Sequence, residues 1–194
     1  MALGPEQAAL PYVMLRACDD QRFQAGSAEP WIAALIATLV FANGTKTAIE
    51  IGGFQGYTSA HIAAALSRLP YETVFTVCEI DQQRAQDVQK VLDMGYGFRL
   101  RTHVVCDDSH RWLPTLPERS VDFAWVDGNH EKAHVARELE LLWPKMRDKG
   151  LICLHDVWGV CDLQDVVRRY PNSLSLDLPR LGPAGGVGII QVRH

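Results

Sequence analysis

A glycine turn in the first third of the chain carries residues that could hold a ligand. Residues 48–58 form an apolar run, then the turn, then the start of a helical stretch, in the pattern Glu50-x-Gly52-x-x-x-Gly56. Glycines let a backbone approach a ligand closely, and a helix start offers free N–H groups. A carboxylate two residues before the first glycine would face a cationic group, which suits the amine of an amino acid better than a pyrophosphate. The predicted binding turn comprises Glu50, Gly52, Gly53, Phe54, Gly56, Tyr57 and Thr58, although a tight loop without a ligand would use the same glycines.

Two further acidic sites lie at the ends of the next two runs of apolar and β-branched residues. Glu79, followed by Ile80, lies about 20 residues beyond the turn, where folds of this kind place an acid that takes both ribose hydroxyls. The run after it ends in Asp107-Asp108-Ser109, which suits the amino group of an adenine. The strand register decides which of the two aspartates points inward, and the sequence leaves that open.

Two aspartates and two histidines lie at or just after the ends of the fourth and fifth runs of apolar and β-branched residues. Asp127 and His130 belong to the stretch Asp-Gly-Asn-His, and His155 and Asp156 are adjacent. Because ligands bind beyond the carboxyl ends of parallel strands, these four side chains can converge on one pocket. Two carboxylates beside a neutral histidine suit either a divalent cation or general-base chemistry.

The β-rich runs that position these residues alternate with helical stretches. The runs are nearly continuous in apolar or β-branched residues, as in strands buried on both faces of a parallel sheet, and cover 47–53, 74–81, 102–107, 121–127 and 151–156. Predicted helices cover 31–41, 58–68, 82–94, 132–147 and 163–170, and Asp81 is the predicted N-cap of the third. This alternation predicts a doubly wound α/β sheet.

The end of the chain departs from the alternation. Residues 174–178 and 187–192 are predicted strands with no helix between them, so they must pair antiparallel. The segment between them, 179–186, is expected at the rim of the pocket. A dinucleotide-binding Rossmann sheet instead goes on adding parallel strands.

Length and composition limit the class of protein. The 194 residues, 47% hydrophobic and 22% charged, fit one globular domain. A net charge of −4 argues against nucleic acid or an anionic membrane as the main partner. The longest apolar run, 31–42, is too short to span a bilayer, and no basic signal-peptide start is present, so we expect a cytoplasmic protein.

Taken together, the motifs resemble those of class I S-adenosylmethionine-dependent methyltransferases. The matching residues are Glu50-x-Gly52-x-x-x-Gly56, Glu79 and Asp107-Asp108-Ser109. The stretch Asp127-Gly-Asn-His130 and the pair His155-Asp156 are similar to the small-molecule branch that includes antibiotic-sugar O-methyltransferases. The resemblance covers residues 45–194.

The resemblance implies a fold, a cofactor and residue roles. The fold would be a Rossmann-like, seven-stranded sheet, mostly parallel with an antiparallel C-terminal strand. The chain would transfer a methyl group from S-adenosylmethionine to a hydroxyl of a small molecule, with Asp127 as a further cofactor contact. Asp127 and Asp156 are the implied Mg²⁺ ligands, and His130 is the implied base, with His155 as a second catalytic candidate. Catechol-type enzymes have Asn where Val157 stands here, so the third metal ligand is either missing or supplied by another residue such as His155.

Several alternatives stay open at this point. A nicotinamide-dependent oxidoreductase, a hydroxylase-like metalloenzyme and an inactive cofactor-binding module are competing functions, and N- or C-methylation competes with O-methylation. We expect one domain over 1–194, with a cofactor-binding core at 45–194 and a helical extension or lid at 1–44. The apolar stretch 31–41 can pack on its own sheet or on a second subunit, so a homo-oligomer is also an open expectation.

Overall fold

A seven-stranded sheet with helices on both faces positions the candidate residues. The computed structural model describes residues 27–194 of the chain. The strands are β1 Thr47–Ile51, β2 Thr73–Glu79, β3 Leu100–Cys106, β4 Val121–Val126, β5 Met146–Gly159, β6 Ser173–Leu176 and β7 Ala184–Gln191. The helices of this part are α1 Pro30–Ala42, α2 Tyr57–Ser67, α3 Gln82–Leu92, α4 Ser109–Trp112, α5 Lys132–Leu142 and α6 Gln164–Arg168.

The sheet has the order β3-β2-β1-β4-β5-β7-β6. Strands β1 to β5 run parallel, and β7 lies antiparallel between β5 and β6. The predicted fold class, including the antiparallel pair at the end, is confirmed. The strand order reverses between β3 and β4: β1 to β3 are added toward one edge of the sheet, and β4 then pairs with β1 on its other side. Such a switch point opens a crevice at the carboxyl ends of the strands.

Both faces of the sheet are buried, which explains why the strand sequences are almost continuously apolar. Along β4, Phe123 and Trp125 join the hydrophobic cluster formed with α1, α2 and α3. Ala124 and Val126, which alternate with them, join the cluster formed with α4, α5 and α6. The predicted extension or lid at 1–44 therefore includes, in its described part, a helix that packs into the body of the domain, whereas residues 1–26 of that prediction lie outside the described residues.

Two element boundaries differ from the prediction. The helix predicted at 132–147 ends at Leu142, and a 3₁₀ turn follows because Pro144 has no N–H with which to continue the helix. Strand β5 then begins at Met146, which pairs with Val121, rather than at residue 151. The predicted N-cap is confirmed, since the Asp81 side chain accepts a 2.9 Å hydrogen bond from the Arg84 N–H.

None of the helices within residues 27–194 is long and apolar enough to cross a membrane.

Candidate active site

A cleft of about 1050 Å³ opens at the carboxyl ends of the parallel strands. This volume is at the upper end of typical small-molecule sites, which range over about 300–1,000 Å³, so a large ligand and a second small molecule could share it. Part of the 179–186 segment, from Leu181 to Ala184, lies in its wall, as the sequence predicts. The predicted site residues that line it are Gly52, Phe54, Glu79, Ile80, Asp107, Asp108, Ser109, Asp127, His130, His155 and Asp156.

The remaining predicted residues lie deeper. Glu50, Gly53, Tyr57 and Thr58 line a side cavity of about 20 Å³, which shares wall residues with the cleft. A cavity of this size holds about one water molecule. Gly56 lines neither space, and its φ of +82° instead starts helix α2. The structure therefore assigns Gly56 a role in the turn rather than in the wall of a site.

Gly52 brings the end of β1 close to the end of β4. Its φ is +84°, and a Cβ at this position would collide with the backbone of Asp127 and Gly128. Its N–H donates a 2.9 Å hydrogen bond to the Cys78 carbonyl of β2. Only glycine combines this conformation with this approach, so the close meeting of the strand ends depends on it.

Glu79 fixes the glycine turn from the neighbouring strand. Its side chain is buried, and Oε2 accepts a 2.9 Å hydrogen bond from the Phe54 N–H while Oε1 accepts a 3.0 Å hydrogen bond from the Asp81 N–H. The Arg84 guanidinium lies over the Phe54 ring, 4.7 Å from its centroid. Each carboxylate oxygen can accept more than one hydrogen bond, so Glu79 is held rigidly and can still accept from a ligand hydroxyl.

Glu50 is buried beneath the turn. Its Oε2 accepts a 2.5 Å hydrogen bond from the Ser59 hydroxyl. Burial raises the pKa of Glu50 to about 8 despite that hydrogen bond, and the nearby Asp127 and Glu79 carboxylates add to the increase. A cation beside Glu50 would favour its ionised form.

Asp107 and Asp108 both line the cleft, so neither aspartate is excluded from the site by the register of β3. Asp107 pairs with Arg111 and accepts a 2.8 Å hydrogen bond from the Asp108 N–H. Asp108 caps α4 by accepting a 2.7 Å hydrogen bond from the His110 N–H. The two carboxylates thus occupy fixed positions at the end of β3.

His155 joins two carboxylates that are far apart in sequence. Its Nδ1 lies 2.9 Å from Asp127 Oδ1, and its Nε2 lies 3.0 Å from Glu29 Oε2. Burial alone would lower the pKa of His155, but the charge and hydrogen bond of Asp127, the hydrogen bond of Glu29 and the charge of Asp156 raise it to about 11. His155 is therefore an imidazolium at neutral pH, with both ring nitrogens donating.

A β-bulge lets two consecutive residues of β5 face the same pocket. Neighbouring strand residues normally point to opposite faces of a sheet. The pairing of β5 with β7 shifts register between His155 and Trp158, and Asp156 has a φ of +54°. Bulges of this kind re-aim side chains next to functional sites. As a result both His155 and Asp156 line the cleft.

His130 lies between Asp127 and Asp156 but faces the open cleft. Its Nε2 lies 3.4 Å from Asp156 Oδ2 and 3.7 Å from Asp127 Oδ1. The His130 side chain is 27% exposed, whereas that of His155 is 7% exposed. Of the two predicted catalytic histidines, His130 is thus the one that can meet a substrate.

The predicted Mg²⁺ ligands do not form a three-residue ligand set. Within residues 27–194, Asp127 and Asp156 have no third His, Cys, Asp or Glu with all three ligand atoms within 4.8 Å of one another. One Asp127 oxygen already accepts from His155, whose positive charge would repel a divalent cation. The residues present therefore do not fit the metal site that the resemblance implies.

Glu29 is a site residue that sequence reasoning missed. It stands at the N-cap position of α1 but makes no capping hydrogen bond. Its Oε2 instead contacts His155, and its Oε1 accepts a 3.2 Å hydrogen bond from the Leu181 N–H. These bonds lower the pKa of Glu29 against the raising effect of burial. The only feature of the sequence that marks Glu29 is its position before Pro30, and an acidic residue before a proline is equally typical of an ordinary helix start.

The family comparison connects this cleft to a known class of enzyme. A family model described as a methyltransferase domain matches residues 49–157, more than half of the chain. The chain belongs to this methyltransferase family. The matched region extends from the glycine turn to the residue after Asp156, and the predicted resemblance to methyltransferases is confirmed. No curated protein matches the chain significantly in sequence.

Solved methyltransferase structures share the fold of this family member. The O-methyltransferase TomG of Streptomyces achromogenes, involved in tomaymycin synthesis and solved with S-adenosylmethionine, is 18% identical with a TM-score of 0.70, over 100% of this chain and 92% of its own. An O-methyltransferase of Bacillus cereus in complex with S-adenosylhomocysteine is 15% identical, with a TM-score of 0.64, over 98% and 93% of the two chains. A Podospora anserina methyltransferase with bound S-adenosylhomocysteine is 14% identical, with a TM-score of 0.70, over 100% and 98%. At these identities the similarity establishes the common fold.

Proposed function

We propose that this methyltransferase transfers the methyl group of S-adenosylmethionine to a hydroxyl oxygen of a small molecule. The observation that carries the proposal is the charge of the cleft. Arg84 is the only Lys or Arg that lines it among the described residues, whereas the carboxylates in its wall are Glu29, Glu79, Asp107, Asp108, Asp127, Glu138 and Asp156. Such a wall attracts a cationic ligand and repels the pyrophosphate of a nicotinamide cofactor.

The residues of the cleft fit the parts of S-adenosylmethionine. Glu79 is held at the turn with acceptor capacity for the ribose hydroxyls, and Asp107 or Asp108 would accept from the adenine amino group. Glu50, buried beside the small side cavity, would become ionised opposite the ammonium group. When bound, the cofactor supplies the methyl group on its sulfonium, which the acceptor oxygen takes as it loses its proton.

His130 is the proposed base that receives this proton. It is the exposed histidine of the cluster, and Asp127 and Asp156 lie 3.7 and 3.4 Å from its Nε2. Their negative charge would stabilise the imidazolium that forms when His130 takes the proton. The proton transfer proposed here runs through His130, and Asp127 and Asp156 contribute to it through their charge.

His155 and Glu29 act in this proposal as positioning residues. The imidazolium of His155 holds Asp127 on one side and Glu29 on the other. Glu29 in turn holds the backbone of Leu181, which lines the cleft. The contacts thereby join β4, β5, the start of α1 and the 179–186 segment around one charged group.

Cofactor binding and methyl transfer are tested separately. We expect calorimetry to detect binding of S-adenosylmethionine and no binding of NADH. Methyl-labelled S-adenosylmethionine should then transfer its label to members of a panel of hydroxyl-bearing small molecules, and His130→Ala should abolish most of this transfer while still binding the cofactor. Binding of NADH without binding of S-adenosylmethionine would overturn the proposal.

A further inference from the structure

A second group of titratable side chains lies beside the cleft, on α4 and α5. His110, His134 and Glu138 each offer one ligand atom, and these atoms all lie within 4.8 Å of one another. Within residues 27–194, no other group of three or more His, Cys, Asp and Glu residues satisfies this distance. His134 and Glu138 also line the cleft, but the proposed methyl transfer gives no bonding role to any of the three.

Glu138 is an unsatisfied carboxyl group at the centre of this cluster. It is fully buried, and its Oε1 accepts a 2.6 Å hydrogen bond from the Ser109 hydroxyl. Its Oε2 is also buried and has no hydrogen-bond partner. An unsatisfied buried acceptor destabilises a folded protein. A cation bound by both oxygens of Glu138 would satisfy Oε2.

His110 is oriented in the way that metal ligands commonly are. His110 Nε2 lies 3.3 Å from the His134 carbonyl, so the tautomer that donates this hydrogen bond keeps a lone pair on Nδ1. Metal-binding histidines usually donate their second ring N–H to a carbonyl or carboxylate in this manner. The His110 and His134 rings stack with their centroids 4.0 Å apart, which brings the two side chains together.

The distance between His134 and Glu138 also matches shared coordination. His134 Nε2 lies 3.2 Å from Glu138 Oε1. Two ligands of one tetrahedral Zn²⁺, each bonded at about 2.0–2.1 Å, lie roughly 3.3 Å apart. The two residues are four positions apart on α5, so the helix holds them on one face.

We propose that His110, His134 and Glu138 bind a transition-metal ion of the Zn²⁺ class. Two imidazoles and a carboxylate suit Zn²⁺ and its neighbours better than Mg²⁺. Three protein ligands leave one position for water or another ligand. The Ser109 hydroxyl, which holds Glu138, would serve as an outer-sphere partner.

The test uses the whole chain, freed of metal with a chelator and then titrated with Zn²⁺ alone in a calorimeter. The wild type should bind one Zn²⁺ per chain. His110→Ala and His134→Ala should each weaken binding by more than about 100-fold, and Ser109→Ala by about 10- to 100-fold, the usual effect of losing an outer-sphere partner. His103→Ala, on the exposed face of β3, is the matched control and should bind as the wild type does.

Two further measurements keep the result decisive. Circular dichroism of the metal-free variants checks their fold, and His110→Gln and His134→Gln replace any alanine variant that does not fold. Asp156→Asn separates this site from the aspartates near His130. The proposal is overturned if the wild type binds no stoichiometric Zn²⁺, if both histidine variants bind it normally, or if Asp156→Asn alone removes the binding.

Discussion

The protonation of His155 should make the stability of the protein fall steeply at alkaline pH. The pKa of His155 rises from 6.5 to about 11 on folding. A group whose folded pKa is raised contributes stability that is complete below its unfolded pKa and is lost as pH rises through the folded one. The contribution of His155 is thus present below pH 6.5 and disappears between pH 6.5 and about 11.

The size of this loss follows from the two pKa values. Between pH 7 and pH 9 the unfolded chain releases the His155 proton and the folded chain keeps it, which lowers the free energy of unfolding by roughly 2–3 kcal/mol. Urea unfolding at pH 7 and pH 9 measures this loss. His155→Gln removes the titrating group, so its own loss should be smaller by that amount.

The comparison with His155→Gln is needed because other groups titrate in the same range. Burial also raises the pKa of Glu50, to about 8, and that of Glu138, to about 7. The folded chain therefore keeps these protons to a higher pH than the unfolded chain does, so the free energy of unfolding also falls as pH rises. Both are present in the two proteins, so the difference isolates His155. If wild type and variant lose equal free energy, the imidazolium between Asp127 and Glu29 does not exist as described. A second measurement, NMR titration of the imidazole, should show His155 titrating at a lower pH in Glu29→Gln.

The remaining predictions concern the cofactor and the transferred proton. Glu79→Gln should weaken S-adenosylmethionine binding by about 10- to 150-fold in calorimetry, the loss of one charged hydrogen bond, and unchanged affinity would remove Glu79 from the site. His130→Ala should lower kcat by about 10²–10⁴-fold and leave cofactor affinity intact, whereas full activity would exclude it as the base. Methyl transfer should survive treatment with EDTA. If EDTA instead abolishes the activity, if Mg²⁺ but not Zn²⁺ restores it, and if Asp156→Asn causes the same loss, the Mg²⁺ expected from the sequence would be supported. Affinity for S-adenosylmethionine should rise from pH 6 to pH 7.5 as Glu50 ionises, and a Glu50→Gln variant that shows the same rise would contradict this role.

The fold could be predicted because local sequence and topology agree. Continuous apolar runs identify buried parallel strands, and two adjacent strands without a helix between them can only pair antiparallel. The rule that ligands bind at the carboxyl ends of strands then brings Glu79, Asp127 and His130 to one cleft. The sheet topology and the position of the cleft thus follow from the order of strands and helices along the chain.

The rest of the site depends on tertiary packing that no spacing reveals. Glu29 meets His155 only because the folded chain brings the start of α1 to β5, although the two residues are 126 positions apart. Asp156 faces the cleft only because of the bulge and its positive φ. The four-residue spacing of His134 and Glu138 is visible in the sequence, but their approach to His110 requires α4 to dock on α5.

The two histidines near Asp127 cannot perform the same task, because their surroundings differ in charge and access. His155 is buried with both nitrogens engaged, so it already holds a proton that Asp127 and Glu29 stabilise and cannot accept another. His130 faces the cleft, and the carboxylates of Asp127 and Asp156 lie within 4 Å of its Nε2. Burial raises the pKa of Asp156, and the positive charge of the neighbouring His155 opposes that rise. An imidazolium formed on His130 would therefore be stabilised by the same acidic wall that attracts a cationic methyl donor, which links cofactor binding and proton removal through one electrostatic feature of the cleft.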